Sequence, residues 1–246
     1  MLDLDGTTIP NGKDGMPSRK VVEAIKEASK VIHVGVVTGR PYIFAKPITK
    51  ALGLTGLAVL SGGAQVVDLS TEKILWQKTI SLHDTHKICT FLKKIGDAAV
   101  IQNRDSFDNA VYISSAPKET LSIAIEDASY LEADKIIHEL KKFPAVVAHK
   151  IPGWTKNTIW LQISSVEGTK LHGIVHVAKI LGIETHDIIG VGDGHNDFPL
   201  LMACGLKVAM GNAVEDLKAI ADYVAPTVDE DGVAWVIEKF VLRINP

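Results

Sequence analysis

Short apolar segments of this chain end in turns rich in aspartate and glycine, and this pattern restricts the fold more than any other feature. One turn, Asp3-Leu4-Asp5-Gly6-Thr7, stands at the beginning, and another, Gly192-Asp193-Gly194-His195-Asn196-Asp197, follows the apolar run 188–191. Continuous apolar runs are typical of parallel strands buried on both faces, and an open parallel sheet binds ligands beyond the carboxyl ends of its strands. The two turns therefore predict such a sheet with a polar site along one edge.

The first part of the chain alternates between helical and strand patterns. Its predicted elements are a helix after Ser18, a strand over 31–37 that ends in Thr38-Gly39-Arg40, a helix over 42–52 that contains Pro47, and a strand over 57–60 that ends in Ser61-Gly62-Gly63. Alternation of this kind indicates parallel strands joined by helices.

The middle of the chain, residues 64–165, has pairs of short strands separated by two helices. Such an order favours an antiparallel sheet with helices on one face, an α+β arrangement. The predicted elements are a hairpin over 64–69 and 73–77, a helix over 82–95, strands over 98–102, 110–114 and 121–126, a helix over 131–143, and strands over 146–149 and 158–163.

The last part returns to alternating helices and strands. Its predicted elements are a helix over 169–181, strands over 188–191 and 206–209, and helices over 214–221 and 232–242. The simplest architecture is α/β, in which residues 1–63 and 166–246 build a doubly wound, Rossmann-like parallel sheet core. Residues 64–165 would then be an inserted α+β domain.

Composition restricts the class of ligand. The net charge is −3, with 46% hydrophobic and 22% charged residues, which argues against a protein that coats nucleic acid or an acidic membrane. The two cysteines have no metal-ligand spacing, and no apolar run approaches the ~18 residues of a membrane span. Because Asp3 and Asp5 interrupt any signal peptide, we expect a cytoplasmic protein. We also expect a monomer or homodimer that acts on a small molecule.

The polar residues at the strand ends suit phosphoryl transfer. Asp3 and Asp193 offer the hard oxygen ligands that Mg²⁺ prefers, and a carboxylate can attack phosphorus to give an acyl phosphate. Asp5 lies two residues from Asp3, so it can project to the same side and transfer protons. Thr38 and the amide groups beside it could hold phosphoryl oxygens, while Lys170 would offset their charge.

These residues resemble the motifs of the haloacid dehalogenase superfamily, subclass IIB, whose members carry an α/β cap. The first motif, Asp-x-Asp-Gly-Thr, matches residues 3–7; the second matches Thr38 within Thr-Gly-Arg; the third is a lysine at a helix start, Lys170; the fourth, Gly-Asp-Gly-x-Asn-Asp, matches residues 192–197. Segments between residues 208 and 233 also resemble the family's tail. The resemblance covers both parts of the predicted core, and the cap matches in pattern only.

The resemblance implies a phosphatase that forms a phospho-aspartate. It implies Mg²⁺ as the cofactor, a small phosphorylated metabolite such as a sugar phosphate as the substrate, and the inserted domain as the cap that selects it. The implied catalytic residues are the nucleophile Asp3, the acid and base Asp5, Thr38 and Lys170; the metal ligands are Asp3, Asp5 through its carbonyl, Asp193 and Asp197; the substrate-binding residues are Thr38, Gly39, Arg40, Lys170 and Asn196.

The chain departs from the family pattern at several places. Thr8 stands where leucine is usual, Leu171 where glycine often follows the lysine, and Gly62-Gly63-Ala64 where Asn-Gly-Ala is usual, which removes an amide near the substrate entrance. Met1 and Leu2 are too short to be the strand that would deliver Asp3. We therefore expect a longer natural chain or a clipped first strand.

Several assignments stay open at this level. Lys156 or Lys179 could replace Lys170 as the phosphate-binding lysine, and Arg40 could contact the substrate or pair with an acid of the core. His195 is taken as a loop histidine. Trp154, Lys156 and Trp160 could face the site, but a stabilising role is favoured for the two tryptophans.

The leading hypothesis is hydrolysis of a small phosphate monoester. One alternative is a phosphomutase that uses the same aspartyl-phosphate chemistry, and another is a catalytically silent metabolite-binding protein. The clustered carboxylates argue against the silent protein, because they repel one another without a metal ion.

Overall fold

Strands from the first and last parts of the chain share one sheet in the computed structural model, which describes residues 1–95, 99–103, 105–109, 119–153, 155 and 157–244. The strands are β1 (Val36–Val37), β2 (Leu57–Leu60), β3 (Gln65–Asp68), β4 (Lys73–Gln77), β5 (Ala99–Gln102), β6 (Phe107–Asn109), β7 (Ser122–Ala128), β8 (Val146–Pro152), β9 (Ile159–Ser165), β10 (Ile189–Gly192), β11 (Leu206–Ala209) and β12 (Tyr223–Val224). The α-helices are α1 (Arg19–Ala28), α2 (Tyr42–Ala51), α3 (Leu82–Ile95), α4 (Tyr130–Leu140), α5 (Lys170–Leu181), α6 (Phe198–Ala203), α7 (Glu215–Ile220) and α8 (Gly232–Ile237).

The first sheet is mixed, and Leu2 joins its two halves. One half has the order β1-β2-β3-β4 and the other the order β10-β11-β12. Leu2 forms parallel bridges with Val36 of β1 and with Val191 of β10, and its carbonyl accepts a hydrogen bond from the amide of Val37 at 2.8 Å. The turn that begins at Asp3 therefore leaves the middle of the sheet, at the carboxyl ends of β1 and β10.

The prediction of a strand over residues 31–37 is wrong for residues 31–35. The amides of Val31 and Ile32 donate to the carbonyl of Ala28 at 3.0 and 2.9 Å, which continues the last turn of α1. Both side chains are largely exposed, at 66% and 44% of their surface. A run of β-branched residues is compatible with a buried strand, but here the carbonyl groups at the end of the helix take the amides that a strand would need.

The hairpin of β3 and β4 is present as predicted, but its neighbours are in the first sheet. β2 pairs antiparallel with β3 from Leu57 opposite Asp68 to Leu60 opposite Gln65. The predicted boundary near residue 64 assigned this hairpin to the insert, and its hydrogen bonds contradict that assignment. Alternation along a strand indicates which face is buried, but the partner at each edge is decided by the tertiary fold.

The second sheet is antiparallel, with the order β6-β5-β7-β9-β8, as the pattern of the middle part predicted. One face packs against α3 and α4 in a separate apolar core that includes Ile88, Ile123 and Ile136. The opposite face carries buried polar side chains and contacts the first sheet. β6 was not predicted, and the strand predicted over 110–114 lies outside the described residues.

Helix α6 is a further element that the sequence analysis missed, and it follows directly on the turn 192–197. Across the rest of the first sheet, the predicted helices and strands are present, including α2 with Pro47 in its interior. No helix in the described part of the chain combines the length and apolar character that crossing a bilayer requires.

Candidate active site

Hydrogen bonds from backbone and side-chain groups hold the turn that begins at Asp3. The amide of Asp3 donates to the carbonyl of Val191 at 2.9 Å, and its carbonyl accepts from Oγ1 of Thr8 at 2.5 Å. Oγ1 of Thr7 donates to Oδ1 of Asp193 at 2.7 Å. Thr8, which departs from the family pattern, therefore helps to position the carboxylate of Asp3.

Asp197 organises the second turn with one carboxylate oxygen. Its Oδ2 accepts from the amides of Asp193 and Gly194, each at 2.9 Å. This oxygen fixes the direction of the loop, and the side chain of Asp197 is fully buried. Its other carboxylate oxygen, Oδ1, faces the turn that begins at Asp3.

Lys170 connects the two turns. Its Nζ lies 2.5 Å from Oδ1 of Asp3 and 2.5 Å from Oδ1 of Asp197, and the residue is only 2% exposed. Helix α5 starts close to the turn after β2 because Gly63, with φ of +112°, has no Cβ; one there would lie 2.0 Å from the carbonyl carbon of Thr169. Of the two alternatives, Lys179 lies exposed in the last turn of α5, and residue 156 is outside the described residues.

Burial controls the charges of this cluster. Burial, and then the nearby charge of Asp197, raises the pKa of Asp3 well above its ordinary range and raises the pKa of Asp193 to about 7. Burial alone would lower the pKa of Lys170, but Asp197 and Asp3 outweigh it, so this pKa is raised and the ammonium stays charged. One cation therefore faces more carboxylates than it can neutralise.

The carboxylates fit a hard metal ion. Oxygen atoms of Asp3, Asp193 and Asp197 all lie within 4.8 Å of one another, and carboxylate oxygens are the ligands that Mg²⁺ takes in proteins. A divalent cation would remove the surplus negative charge that the burial of this cluster leaves. Asp5 was also assigned to the metal, through its backbone carbonyl. Its side-chain carboxylate is not among the clustered carboxylates.

The carboxylate of Asp5 instead forms an ion pair with Arg40. Oδ2 of Asp5 accepts from Nε at 2.9 Å and Oδ1 from Nη2 at 2.6 Å, a bidentate geometry that fixes both side chains. Nη2 of Arg40 also donates to the carbonyl of Gly12 at 2.7 Å. The sequence analysis left Arg40 between substrate contact and pairing with a core acid; the structure has the pairing, and Arg40 also lines the cavity described next.

A cavity opens above Asp3, between the two sheets. It is lined by Asp3, Asp5, Asn11, Gly39, Arg40, Pro41, Phe44, Ile151, Pro152, Trp160, Gln162, Asp193 and Asn196. Thr38, Lys170 and Asp197 are buried and are not among these lining residues. Oγ1 of Thr38 accepts from the amide of Arg40 at 3.1 Å. Asp3, Asp5, Gly39, Arg40, Asp193 and Asn196, which the sequence analysis assigned to the site, therefore meet at one cavity.

Two other residues of the site were not predicted or were interpreted differently. Asn212 received no role, yet its Nδ2 donates to the carbonyl of Gly6 at 2.8 Å while its Oδ1 accepts from the amide of Val228 at 2.8 Å. Asn212 lies among the segments between residues 208 and 233 that resemble the tail of the haloacid dehalogenase superfamily, and this resemblance could have indicated its role. Trp160 was expected to stabilise the insert, but it lines the cavity; Trp154 and Lys156 lie outside the described residues.

The metal-free protein is expected to lose stability as the pH rises from about 4 to about 7. Asp193 has a pKa of about 7 in the folded chain, against an ordinary 3.8, so the folded state holds a proton in this range that the unfolded state has released. Deprotonation then favours unfolding. The measurement is urea unfolding in EDTA across this range, and Asp193→Asn should make the decline smaller, while Asp3, whose pKa is also raised by burial, accounts for the part that remains.

Excess Mg²⁺ should raise the stability of the unaltered protein most at the upper end of this range, since it binds the ionised carboxylates. An identical pH dependence in the unaltered protein and in Asp193→Asn would show that this carboxyl group is not the cause.

Comparison with known proteins gives a consistent result across the chain. The family model described as haloacid dehalogenase-like hydrolase matches residues 1–151 and 118–237. The stress response protein YhaX of Bacillus subtilis (strain 168) is 28% identical over 267 residues, which cover 97% of this chain and 91% of that protein. A phosphoglycolate phosphatase of Methanopyrus kandleri is 25% identical over 251 residues, which cover 100% of this chain and 97% of that protein.

The fold is also similar to that of solved structures. The structure of BT4131, described as a sugar phosphatase of subclass IIB, superposes with a TM-score of 0.79 at 21% identity and covers 97% of this chain and 96% of that chain. At this level of identity the likeness concerns the fold, and it includes both sheets.

Proposed function

Since this chain belongs to the family of haloacid dehalogenase-like hydrolases, we propose that it is a Mg²⁺-dependent phosphatase that hydrolyses a small phosphate monoester through a phospho-aspartate. The observation that carries this proposal is the convergence of Asp3, Asp193, Asp197 and Lys170 in one buried cluster, of which Asp3 and Asp193 line the cavity. A phosphoglycolate phosphatase among the relatives supports a monoester substrate. A sugar phosphate or a related metabolite is the proposed substrate class.

Asp3 is the proposed nucleophile. Hydrogen bonds hold its amide and its carbonyl, and the residue lines the cavity, so the carboxylate keeps one position relative to a bound phosphoryl group. An oxygen of Asp3 forms a bond to phosphorus while the ester bond between phosphorus and the alcohol oxygen breaks. Water then attacks the phospho-aspartate, which releases inorganic phosphate and regenerates Asp3.

Asp5 is the proposed proton carrier for both halves of the reaction. It gives a proton to the departing alcohol oxygen and later takes one from the attacking water. The ion pair with Arg40 holds the carboxylate of Asp5 at the cavity wall, two residues along the chain from the nucleophile. To act on the substrate, the carboxylate of Asp5 must give up part of its hydrogen bonding to Arg40 and contact the substrate oxygen instead.

The remaining polar residues bind and orient the phosphoryl group. Lys170 places a positive charge beside Asp3, where negative charge develops during transfer, and Thr38, the amide of Gly39 and Asn196 are the proposed hydrogen-bond donors to its oxygens. Asp193 and Asp197, with Asp3, would hold Mg²⁺, which supplies Lewis-acid compensation of the phosphoryl charge when bound.

The second sheet, with α3 and α4, is the proposed cap. Its residues Ile151, Pro152, Trp160 and Gln162 close the cavity from the side opposite Asp3. The leaving alcohol would therefore lie between the two sheets, with the phosphoryl group toward the first.

The test is phosphate release from a panel of sugar phosphates, 2-phosphoglycolate and p-nitrophenyl phosphate, with Mg²⁺ and with EDTA. We expect release from at least one compound, and we expect EDTA to abolish it. Movement of phosphate between positions of a sugar without release would indicate the alternative, a phosphomutase. A folded protein that releases no phosphate from any compound would contradict the proposal.

A further inference from the structure

The wall of the cavity that comes from the second sheet has its own chemistry. We propose that Gln162 selects an uncharged leaving group that bears hydroxyls, because it presents the carboxamide oxygen Oε1 to the cavity as a hydrogen-bond acceptor. This inference rests on the proposed function and adds a specificity-determining residue to it. It also predicts discrimination against substrates with a second negative group.

The orientation of the Gln162 carboxamide follows from its partners. The residue is 2% exposed, and its Nε2 donates to the carbonyl of Gly39 at 2.9 Å. A backbone carbonyl can only accept, so the atom beside it is the amide nitrogen. Oε1 of Gln102, at 3.1 Å, and Oγ of Ser122, at 3.4 Å, are the other acceptors that Nε2 faces.

The oxygen of the carboxamide is therefore turned toward the first sheet and the cavity. It lies 3.2 Å from the position of a Cβ at Gly39 and 2.6 Å from that of a Cβ at Gly62. Among the residues that the structure describes, none donates a hydrogen bond to Oε1 of Gln162. Oε1 keeps contact with the cavity, and a substrate hydroxyl would supply the donor there, since a group that displaces cavity water without replacing its hydrogen bond costs free energy.

The charges around this oxygen disfavour an anionic leaving group. Lys170 and bound Mg²⁺ would compensate the carboxylates of Asp3 and Asp193, and the remaining carboxylate of the lining, Asp5, is paired with Arg40. Of the described lining residues, Arg40 is the only cation, and its guanidinium is in a bidentate pair with Asp5. A carboxylate on the leaving group would face Oε1, to which it could donate no hydrogen bond, and the guanidinium of Arg40 would already be engaged by Asp5.

The apolar part of the wall suits the carbon skeleton of a polyol. Phe44 and Trp160 line the cavity together with Ile151, and aromatic and aliphatic surfaces with a few polar groups are typical of small-molecule sites. The hydroxyl groups of such a skeleton would reach Gln162, while its C–H surface would pack against the rings.

The position of Gln162 is also related to the missing side chain at residue 62. Gly62 has φ of +73°, a conformation that asparagine tolerates better than most residues. The carboxamide of Gln162 occupies the space into which a side chain at this position would extend. The second sheet therefore supplies an amide where the first sheet has none.

The first test compares kcat/KM for sugar and polyol phosphates of three to six carbons with the values for 2-phosphoglycolate and p-nitrophenyl phosphate, all with Mg²⁺. The best polyol substrate should exceed 2-phosphoglycolate in the unaltered protein. In Gln162→Met, the ratio of the best polyol substrate to p-nitrophenyl phosphate should fall about tenfold, the value of one hydrogen bond. Ser164→Ala, a buried polar residue of the same strand, should leave the ratio unchanged.

A second test uses complementation. Gly62→Asn alone should lower the ratio, because its Cβ would push Oε1 of Gln162 away. With Gln162→Ala added, the asparagine carboxamide can occupy the vacated space, and the ratio should exceed that of either single variant. If the effects of the two substitutions on the ratio simply added, the side chains at residues 62 and 162 would not compete for the same space, and this part of the inference would be overturned.

The outcomes separate this inference from the proposed function. Preference for 2-phosphoglycolate over every polyol phosphate in the unaltered protein would overturn the inference and leave the phosphatase proposal standing, and it requires no variant to fold. The same drop in ratio for Ser164→Ala would also overturn it. Absence of Mg²⁺-dependent release from all compounds would remove the proposed function and the inference together.

Discussion

Replacing Asp3 with asparagine is expected to lower Mg²⁺-dependent phosphate release by a factor on the order of 10⁴ or more. The amide has nearly the same shape, and the backbone hydrogen bonds of this residue to Val191 and Thr8 do not involve the side chain. The fold should therefore survive. What is lost is the anionic oxygen that would attack phosphorus.

The stability of Asp3→Asn should support this interpretation. Because burial, followed by repulsion from Asp197 and Asp193, raises the pKa of Asp3 despite its pairing with Lys170, removal of this charge should not lower the thermal midpoint of the metal-free protein at neutral pH. Asp229→Asn, at an exposed position, is the matched control and should retain full activity. Activity of Asp3→Asn within about tenfold of the unaltered protein would exclude Asp3 as the nucleophile.

Trapping would identify the covalent species directly. Rapid denaturation during turnover, followed by hydroxylamine, should convert a phospho-aspartate at residue 3 into a hydroxamate that peptide mass spectrometry can locate. Hydroxamate at another residue, or none in a protein that turns over, would contradict the assignment.

Replacing Lys170 with methionine is expected to destabilise the metal-free protein at neutral pH by about 3–5 kcal/mol, the usual cost of leaving a buried charge without its partner. The ammonium is 2% exposed and contacts Asp3 and Asp197 at 2.5 Å each. Phosphate release should also fall by about 10²–10³, because the charge beside the transferring group is lost.

Urea unfolding with EDTA and with Mg²⁺ would measure the effect on stability. Mg²⁺ should recover part of the loss, since it binds the folded carboxylates, and acidic pH should reduce the loss, since Asp3 and Asp193 have raised pKa values and become protonated. Lys179→Met, in the exposed last turn of the same helix, is the control. An equal loss in both variants would show that the effect comes from the helix and not from the ion cluster.

Several features of this protein follow from local patterns in its amino-acid sequence. Aspartate and glycine turns after apolar runs predicted which strand ends would carry the site, because parallel strands place their carboxyl ends at one edge of a sheet. Residues 3–5 and 193–197 do meet there. The order of strands and helices also predicted an antiparallel second sheet with helices on one face, since the alternation of buried residues is a local property.

Which side chains face one another is a property of the tertiary fold. The pairing of Arg40 with Asp5, the place of the β3–β4 hairpin in the first sheet and the contact of Gln162 with Gly39 each join segments whose relative position no periodicity contains. The late start of the strand predicted over 31–37 has a local cause instead, because the carbonyl of Ala28 at the end of α1 accepts the amides of Val31 and Ile32. Local patterns specify which groups are buried, and the packing of distant segments specifies their partners.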